Sequence, residues 1–520
     1  MSMGRVTWRR ALAAIWCGSA LLLSLAPQGH AGARRGDAVD ALLDAPEGAQ
    51  LIVSIDEAGE LAHGPLGQAG LAMLEHVAPD LPAAWGRLAK QLGMSEQETF
   101  DRLFGRRVLI ASKRDANRSW SWVVRCIVDD ETAQALRRSI VEAPRKLVNG
   151  RQVLAAEGGR FELVVVDLRK GRAAVLLGPA DHPELLDAAA LGRPHGGGML
   201  MPADPRERQV DLLPRGTRIF LYSSLNESLL PGLGDLAGDC ASWTALAAAP
   251  DEQAGSLKFT FVTMVEDRPE RLLDVKPWSK DTFESFAHGA LFAVVESDVL
   301  SRELWPTIEQ RFMAGLEHPI ETPDHGAFGG RVALGVYPSP TGPIDFVVGL
   351  ETPDVGALAP AGDRFMAGIV GLLPGLGGSA ANDFGGMAPD ALREVDLRPA
   401  IGNAAVMGWP DVGPTLAWRF PRAPEGVEHG WMTAGLGGEL VDQTADALAG
   451  PEEGARQAWL SMGVIRPAAL VNALAEFPMP QPAWFGTVRS VDALRWEVMA
   501  GPGGALVGSG ELRLSAPPAR

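Results

Sequence analysis

Phe104-Gly105-Arg106-Arg107-Val108 returns as Phe328-Gly329-Gly330-Arg331-Val332, and Val123-Val124 returns at the same spacing as Val347-Val348. Farther on, Val166-Asp167-Leu168-Arg169, then Gly171, then Ala173-Ala174-Val175 are echoed by Val395-Asp396-Leu397-Arg398, Gly402 and Ala404-Ala405-Val406, in the same order and at a slightly longer spacing. Ordered self-similarity over such a distance predicts a duplicated module, and an internal repeat decides architecture before any local motif does.

Working outward from the first pentapeptide, Ser95 to Glu98 reads as a capping box that opens a helix ending at Phe104-Gly105, where glycine is available for a left-handed cap. Arg107–Ser112 and Ser119–Val128 read as a hairpin, and Asp129-Asp130 as the cap of the next helix. Gln152–Ala156, Phe161–Asp167 and Ala173–Leu177 read as a meander, turned at Gly158-Gly159 and Lys170-Gly171. The second copy repeats the plan with a strand at Ala290–Val295, an amphipathic helix over Asp298–Leu316, a hairpin at Arg331–Tyr337 and Ile344–Leu350, and Asp354 at a helix cap. Strand pairs close in sequence, interleaved with helices, predict an α+β class: two tandem copies of an antiparallel-rich sheet-and-helix module. The expected divisions are 1–31, 32–280 and 281–520.

Residues 1–31 read as a secretory signal. Arg5, Arg9 and Arg10 precede an apolar run from Ala11 to Leu25, and Gly29-His30-Ala31 supplies small residues for cleavage after Ala31, with Ala33 as the alternative. The run is too short for a comfortable span of ~20 residues. The export route and actual removal of the leader stay open. The chain is therefore expected to be exported, periplasmic or extracellular, and not transmembrane once cleaved. Apolar content of 46% and charged content of 21% describe a globular protein. The net charge of −17 points away from nucleic acid, which needs a basic footprint. The acidity is uneven, since every lysine lies at or before Lys280.

No catalytic, metal or cofactor constellation emerges. None of the nine histidines has metal-site spacing, and Asp181-His182 and Asp324-His325 read as structural or solvated. The Gly-x-Gly stretches at Gly232, Gly375 and Gly435 lack the strand, helix and acidic residue of a dinucleotide site. Trp409, Trp418 and Trp431 read as core, and Asp129, Asp130 and Glu131 as helix capping rather than calcium ligands. Beyond the leader, Cys126 and Cys240 are a candidate disulfide. Cys126 also shares a period-two face with Trp120, Trp122, Val124 and Val128, so a buried free thiol is equally natural.

The leader, the opening strand after Pro46-Glu-Gly, the helices before Phe-Gly-x-Arg-Val and the repeated hairpin together resemble a group of uncharacterised exported bacterial proteins that carry a domain of unknown function. The resemblance implies no activity and supplies no site residues. The reading that follows is a non-enzymatic binding or scaffold protein of the cell envelope, with a protein or envelope component as its partner. The alternatives are an extracytoplasmic hydrolase assembled from distant residues and a carrier of a small apolar ligand.

Overall fold

The computed structural model describes residues 44–46, 48–63, 81–114, 120–146, 151–156, 159–168, 170–191, 212–214, 217–224, 241–251, 255–265, 276–297, 330–340, 344–372, 387–388, 390–398, 414–421, 430–449, 459–475, 489–502 and 505–514. The chain forms two compact units. The first takes Met1–Ser228, Cys240–Val265 and Glu511–Pro518. The second takes Leu229–Asp239, Glu266–Gly510 and Ala519–Arg520.

In the first unit the order is β1 (Leu51–Ile55), α1 (Ala58–His63), α2 (Leu81–Leu92), α3 (Glu96–Phe104), β2 (Val108–Arg114), β3 (Trp120–Asp129), α4 (Asp130–Ser139) and β4 (Val141–Lys146). There follow β5 (Gln152–Ala156), β6 (Phe161–Leu168), β7 (Arg172–Pro179), α5 (Glu184–Leu191), β8 (Ile219–Ser223), β9 (Ala241–Asp251) and β10 (Ser256–Val265). Pairing is antiparallel throughout, in the order β4-β5-β6-β7-β3-β2-β1-β8-β9-β10. β1 lies mid-sheet, and all five of its residues are buried. That is why its sequence is a continuous apolar run rather than an alternating one. Leu51, Val53 and Ile55 face a core that also takes Leu92 of α2, Leu103 of α3 and Leu136 of α4.

Local chemistry sets the boundaries. The Ser95 hydroxyl accepts from the Glu98 N–H at 3.1 Å and starts α3, while the Asp129 carboxylate accepts from the Thr132 N–H at 2.8 Å and starts α4. Lys170 and Gly171 both have φ of 67°, two left-handed residues in the three-residue connection that turns β6 into β7 between the paired Leu168 and Arg172. Gly105 corrects one expectation. Its φ of −61° is right-handed, and glycine is needed instead because a Cβ would sit 2.1 Å from the Asp101 carbonyl oxygen.

The second unit begins with α6 (Lys280–Phe286), β11 (Phe292–Glu296), β12 (Val332–Pro338), β13 (Ile344–Thr352), α7 (Val355–Leu372), β14 (Arg393–Asp396) and β15 (Thr415–Arg419). It continues with β16 (Gly430–Leu436), α8 (Gly438–Leu448), β17 (Trp459–Ile465), α9 (Pro467–Leu474) and β18 (Val491–Ala500); the last strand, β19 (Ala505–Leu514), belongs to this unit as far as Gly510 and to the first from Glu511. Its antiparallel order is β14-β15-β16-β13-β12-β11-β17-β18. One face packs Ala293, Val295, Ala333 and Val347 against α6 and α8. On the other face, α7 covers Leu416, Trp418 and Met432. The Asp354 carboxylate accepts from the Ala357 N–H at 3.0 Å, as expected of a cap for α7.

The fold is thus α+β and rich in antiparallel sheet. The second sequence echo, however, does not mark matching positions. Val166-Asp167-Leu168 lies on β6, directly beside β7, whereas Val395-Asp396 lies on β14 at the end of its run, beyond β15. The two tetrapeptides occupy different places in their sheets. The signal segment, the Asp298–Leu316 helix, Phe328-Gly329 and Ala404–Val406 lie outside the described residues.

Leu136 is 1% exposed beneath the first sheet. Leu136→Ala is expected to destabilise the first unit by about 2–5 kcal/mol. Asp129→Ala is expected to cost about 1 kcal/mol. Urea titration of each variant measures both, and a cap variant as damaging as the core variant would contradict this assignment.

Candidate functional site

Each repeated pentapeptide carries at its fourth position an arginine that sits just before a strand, and each arginine is fixed by a carboxylate. In the first unit, Ile55 pairs with Val108, so Asp56 after β1 lies beside Arg107 before β2. Arg107 Nε donates to Asp56 Oδ1 at 2.7 Å and Nη2 to Oδ2 at 3.2 Å. Around this fork, Arg125 pairs with Asp44 at 3.0 Å and Arg218 with Glu57 at 3.0 Å. The carboxylates reach solvent, so each pair adds only a fraction of a kcal/mol.

In the second unit the same kind of fork is sealed. Arg331 Nε and Nη2 donate to Glu351 Oε2 and Oε1, both at 3.0 Å, and neither side chain is exposed. The guanidinium lies against two indoles that pack on each other, their ring centres 5.5 Å apart, at 5.1 Å from the Trp278 ring centre and 5.3 Å from that of Trp431. Its Nη1 also donates to the Pro277 carbonyl at 3.3 Å, and Lys276 Nζ reaches Glu351 at 3.2 Å. Desolvating a guanidinium and a carboxylate is expensive, and the bidentate geometry, the aromatic faces and the carbonyl offset that cost. A second buried arginine follows the same logic. Arg393 is 1% exposed, donates to Asp363 Oδ2 at 3.1 Å and lies over Phe420, while Trp418 Nε1 donates to Asp363 Oδ1 at 2.8 Å.

A different polar group lies near the arginine clamp, on the opposite face of the sheet. Glu296 ends β11, pairing with Val332 on one side and Ser461 on the other. The Ser461 hydroxyl donates to Glu296 Oε1 at 2.7 Å, while Oε2 is sealed from solvent with no hydrogen-bond partner among the described residues. Burial pushes this carboxyl up to about 7, and the serine bond only partly opposes the shift.

The residues singled out in the sequence fall as follows. Cys126 is a buried free thiol whose ionisation burial pushes up to about 12, so it is inert as a nucleophile. It packs in the core with Val128 and Val124, the period-two face read from sequence. Cys240 lies outside the described residues, as do His325 and Trp409. His182 contributes its backbone carbonyl, which accepts from the Ser121 hydroxyl at 2.8 Å. Trp418 and Trp431 are core residues. Asp129 is a cap, and no group of three or more metal-ligating side chains occurs among the described residues. No described helix is long and apolar enough to cross a membrane. Sequence reasoning flagged Arg107 and Arg331 as repeated letters but missed Glu351 and Glu296, which reach their partners only through strand pairing, and Trp278, which lies outside the named strands.

No family model matches the chain, and no curated protein matches it. Among solved structures it is similar to crystal form III of TP0453, with a TM-score of 0.24 and 14% identity over 44% of this chain and 81% of that one. Crystal form IV gives a TM-score of 0.24 and 14% identity over 43% and 80%, and crystal form I a TM-score of 0.23 and 14% identity over 45% and 81%. Likeness at this level carries no argument about function.

Two measurements follow from the geometry. Arg331→Met leaves Glu351 buried without its main partner and is expected to cost about 3–5 kcal/mol, whereas Arg331→Met with Glu351→Met is expected to recover much of that loss. Equal denaturation midpoints for the single and double variants would contradict a coupled pair. Glu296 binds its proton more tightly folded than unfolded, so it stabilises below its unfolded value near 4.5 and loses that contribution as pH rises through about 7. Melting temperature is expected to fall between pH 5.5 and 8 in the native protein and to fall less in Glu296→Gln.

Proposed function

We propose that this chain is an exported protein of the cell envelope, built from two tandem copies of one α+β module, that acts by binding a protein or envelope component rather than by catalysis. One observation carries the reading. The run β5-β6-β7-β3-β2-β1-β8-β9 and the run β14-β15-β16-β13-β12-β11-β17-β18 describe the same path, strand for strand. Equivalent backbone bonds support the register: Ile127 N–H to the Arg107 carbonyl matches Glu351 N–H to the Arg331 carbonyl.

Within that shared path the polar details have diverged. Arg107 takes its carboxylate from the end of β1, while Arg331 takes its own from β13. The buried arginines Arg331 and Arg393 are each bound to a carboxylate, as expected of a scaffold whose polar groups hold structure in place. The arginine-led leader supports export. The resemblance to uncharacterised exported bacterial proteins agrees with both.

The competing reading is an extracytoplasmic hydrolase, and Ser461 with Glu296 is the pair it would use. The leader-free protein is expected to leave simple ester and peptide substrates unchanged. Native mass spectrometry of the protein taken from its own envelope is expected to show added mass from a bound component. Turnover that disappears in Ser461→Ala would replace this reading with the hydrolase.

A further inference from the structure

The face of the second sheet that carries Glu296 is apolar across five adjacent strands. One row, read straight across β13, β12, β11, β17 and β18, is Phe346, Val336, Phe292, Ile465 and Leu494. The next is Val348, Leu334, Val294, Gly463 and Trp496, with the Trp496 indole lying over Gly463 so closely that a Cβ there would sit 2.0 Å from its ring. The third is Leu350, Val332, Glu296, Ser461 and Val498. The opposite face of β13, β12, β11 and β17 is sealed. On this one, Phe346 is 38% exposed, and Val336, Phe292, Ile465, Leu494, Leu334 and Trp496 are only half-buried.

The first unit supplies the comparison, resting on the duplication proposed above. Asp56 N–H bonds the Arg218 carbonyl and Ser297 N–H bonds the Leu460 carbonyl, which equates Ile55 with Glu296. Ile55 pairs with Ile219 where Glu296 pairs with Ser461. Both isoleucines are within 1% of complete burial, under a face closed by helices. In the second unit that apolar pair is therefore a carboxyl and a hydroxyl, set at one end of an otherwise apolar face that stays partly open.

We infer that this face binds a single-chain amphiphile, with its acyl tail along the apolar rows and a hydrogen-bonding head at Glu296 and Ser461. Size selects this occupant over a second copy of the chain. Five strands at ~4.8 Å by three rows at ~6.7 Å cover roughly 500 Å². A stable protein interface takes about 800 Å² from each partner. The polar pair selects an amphiphile over a plain hydrocarbon, because Glu296 Oε2, without a partner among the described residues, offers an acceptor for a hydroxyl head while Oε1 is held by Ser461.

The test uses the whole leader-free protein, with N-phenyl-1-naphthylamine as reporter and 1-monomyristoylglycerol and methyl myristate as competitors, below their aggregation thresholds. The native protein is expected to bind one equivalent of reporter and to release it more readily to the monoglyceride than to the methyl ester. Phe346→Ser is expected to weaken binding about tenfold or more at an unchanged melting temperature. The double variant Glu296→Ile with Ser461→Ile, which copies the first unit's pair, is expected to fold, to keep binding the tail and to lose the preference for the monoglyceride. Absent binding, binding untouched by either variant, or a dimer that Phe346→Ser dissociates in sedimentation would each overturn the inference. A bound polypeptide without amphiphile binding would overturn it while leaving the scaffold reading intact. Hydrolysis of the bound monoglyceride would sink the non-enzymatic reading and leave the site standing.

Discussion

A strand in the middle of an antiparallel sheet has to satisfy hydrogen bonds along both edges and find cover on both faces, and β1 and β11 carry that demand for their units. Each is flanked by two antiparallel partners, so each fixes the register of everything that builds outward from it. A one-residue slip would turn Leu51, Val53 and Ile55 away from the core that α2, α3 and α4 close. The arginine before β2 or β12 lies beside the end of that central strand and takes its carboxylate from just past that end or from β13, so its placement follows from the same register.

The two arginines show how one backbone position supports opposite electrostatic solutions. Arg107 stays near solvent, where a bidentate fork with Asp56 gains little and needs little. Arg331 is stripped of water and held by Glu351, two indole faces and a carbonyl. A buried pair of this kind is weak support for overall stability, since a well-packed apolar replacement can match it. What it adds is position: Trp278, Pro277 and Lys276 arrive from outside the sheet, and each touches the pair.

Much of the fold was legible because its signals are local. The caps at Ser95 and Asp129, the Lys170-Gly171 turn and the hairpin around Val123-Val124 depend on neighbours within a few residues. β9 was missed because Ala245 and the Ala247–Ala249 run have poor strand propensity. β8 and β10 on either side impose the extended form. β4 was missed because Pro144 breaks the pattern, which an outer strand tolerates. The Val-Asp-Leu-Arg echo misled because short apolar-acidic strings recur on any half-buried strand. The candidate site was illegible for a plainer reason: Glu296 and Ser461 are distant in sequence, and only the pairing of β11 with β17 makes them neighbours.

That pairing also explains why Glu296 is tolerated. A carboxyl under a closed face would leave an oxygen without a donor in a dry core, a penalty several times that of a lost methylene. Ile55 and Ile219 show what the closed version of this position holds. Glu296 survives at the matching place because β11 ends there, Ser461 satisfies one oxygen, and Val332 and Leu350 on the other side of it are only half-buried. Protonation relieves part of the remaining cost, which is the physical content of a carboxyl pushed up to about 7. An isoleucine pair would fill the same space without any of these compensations. Their presence is what separates this end of the second sheet from an ordinary stretch of core.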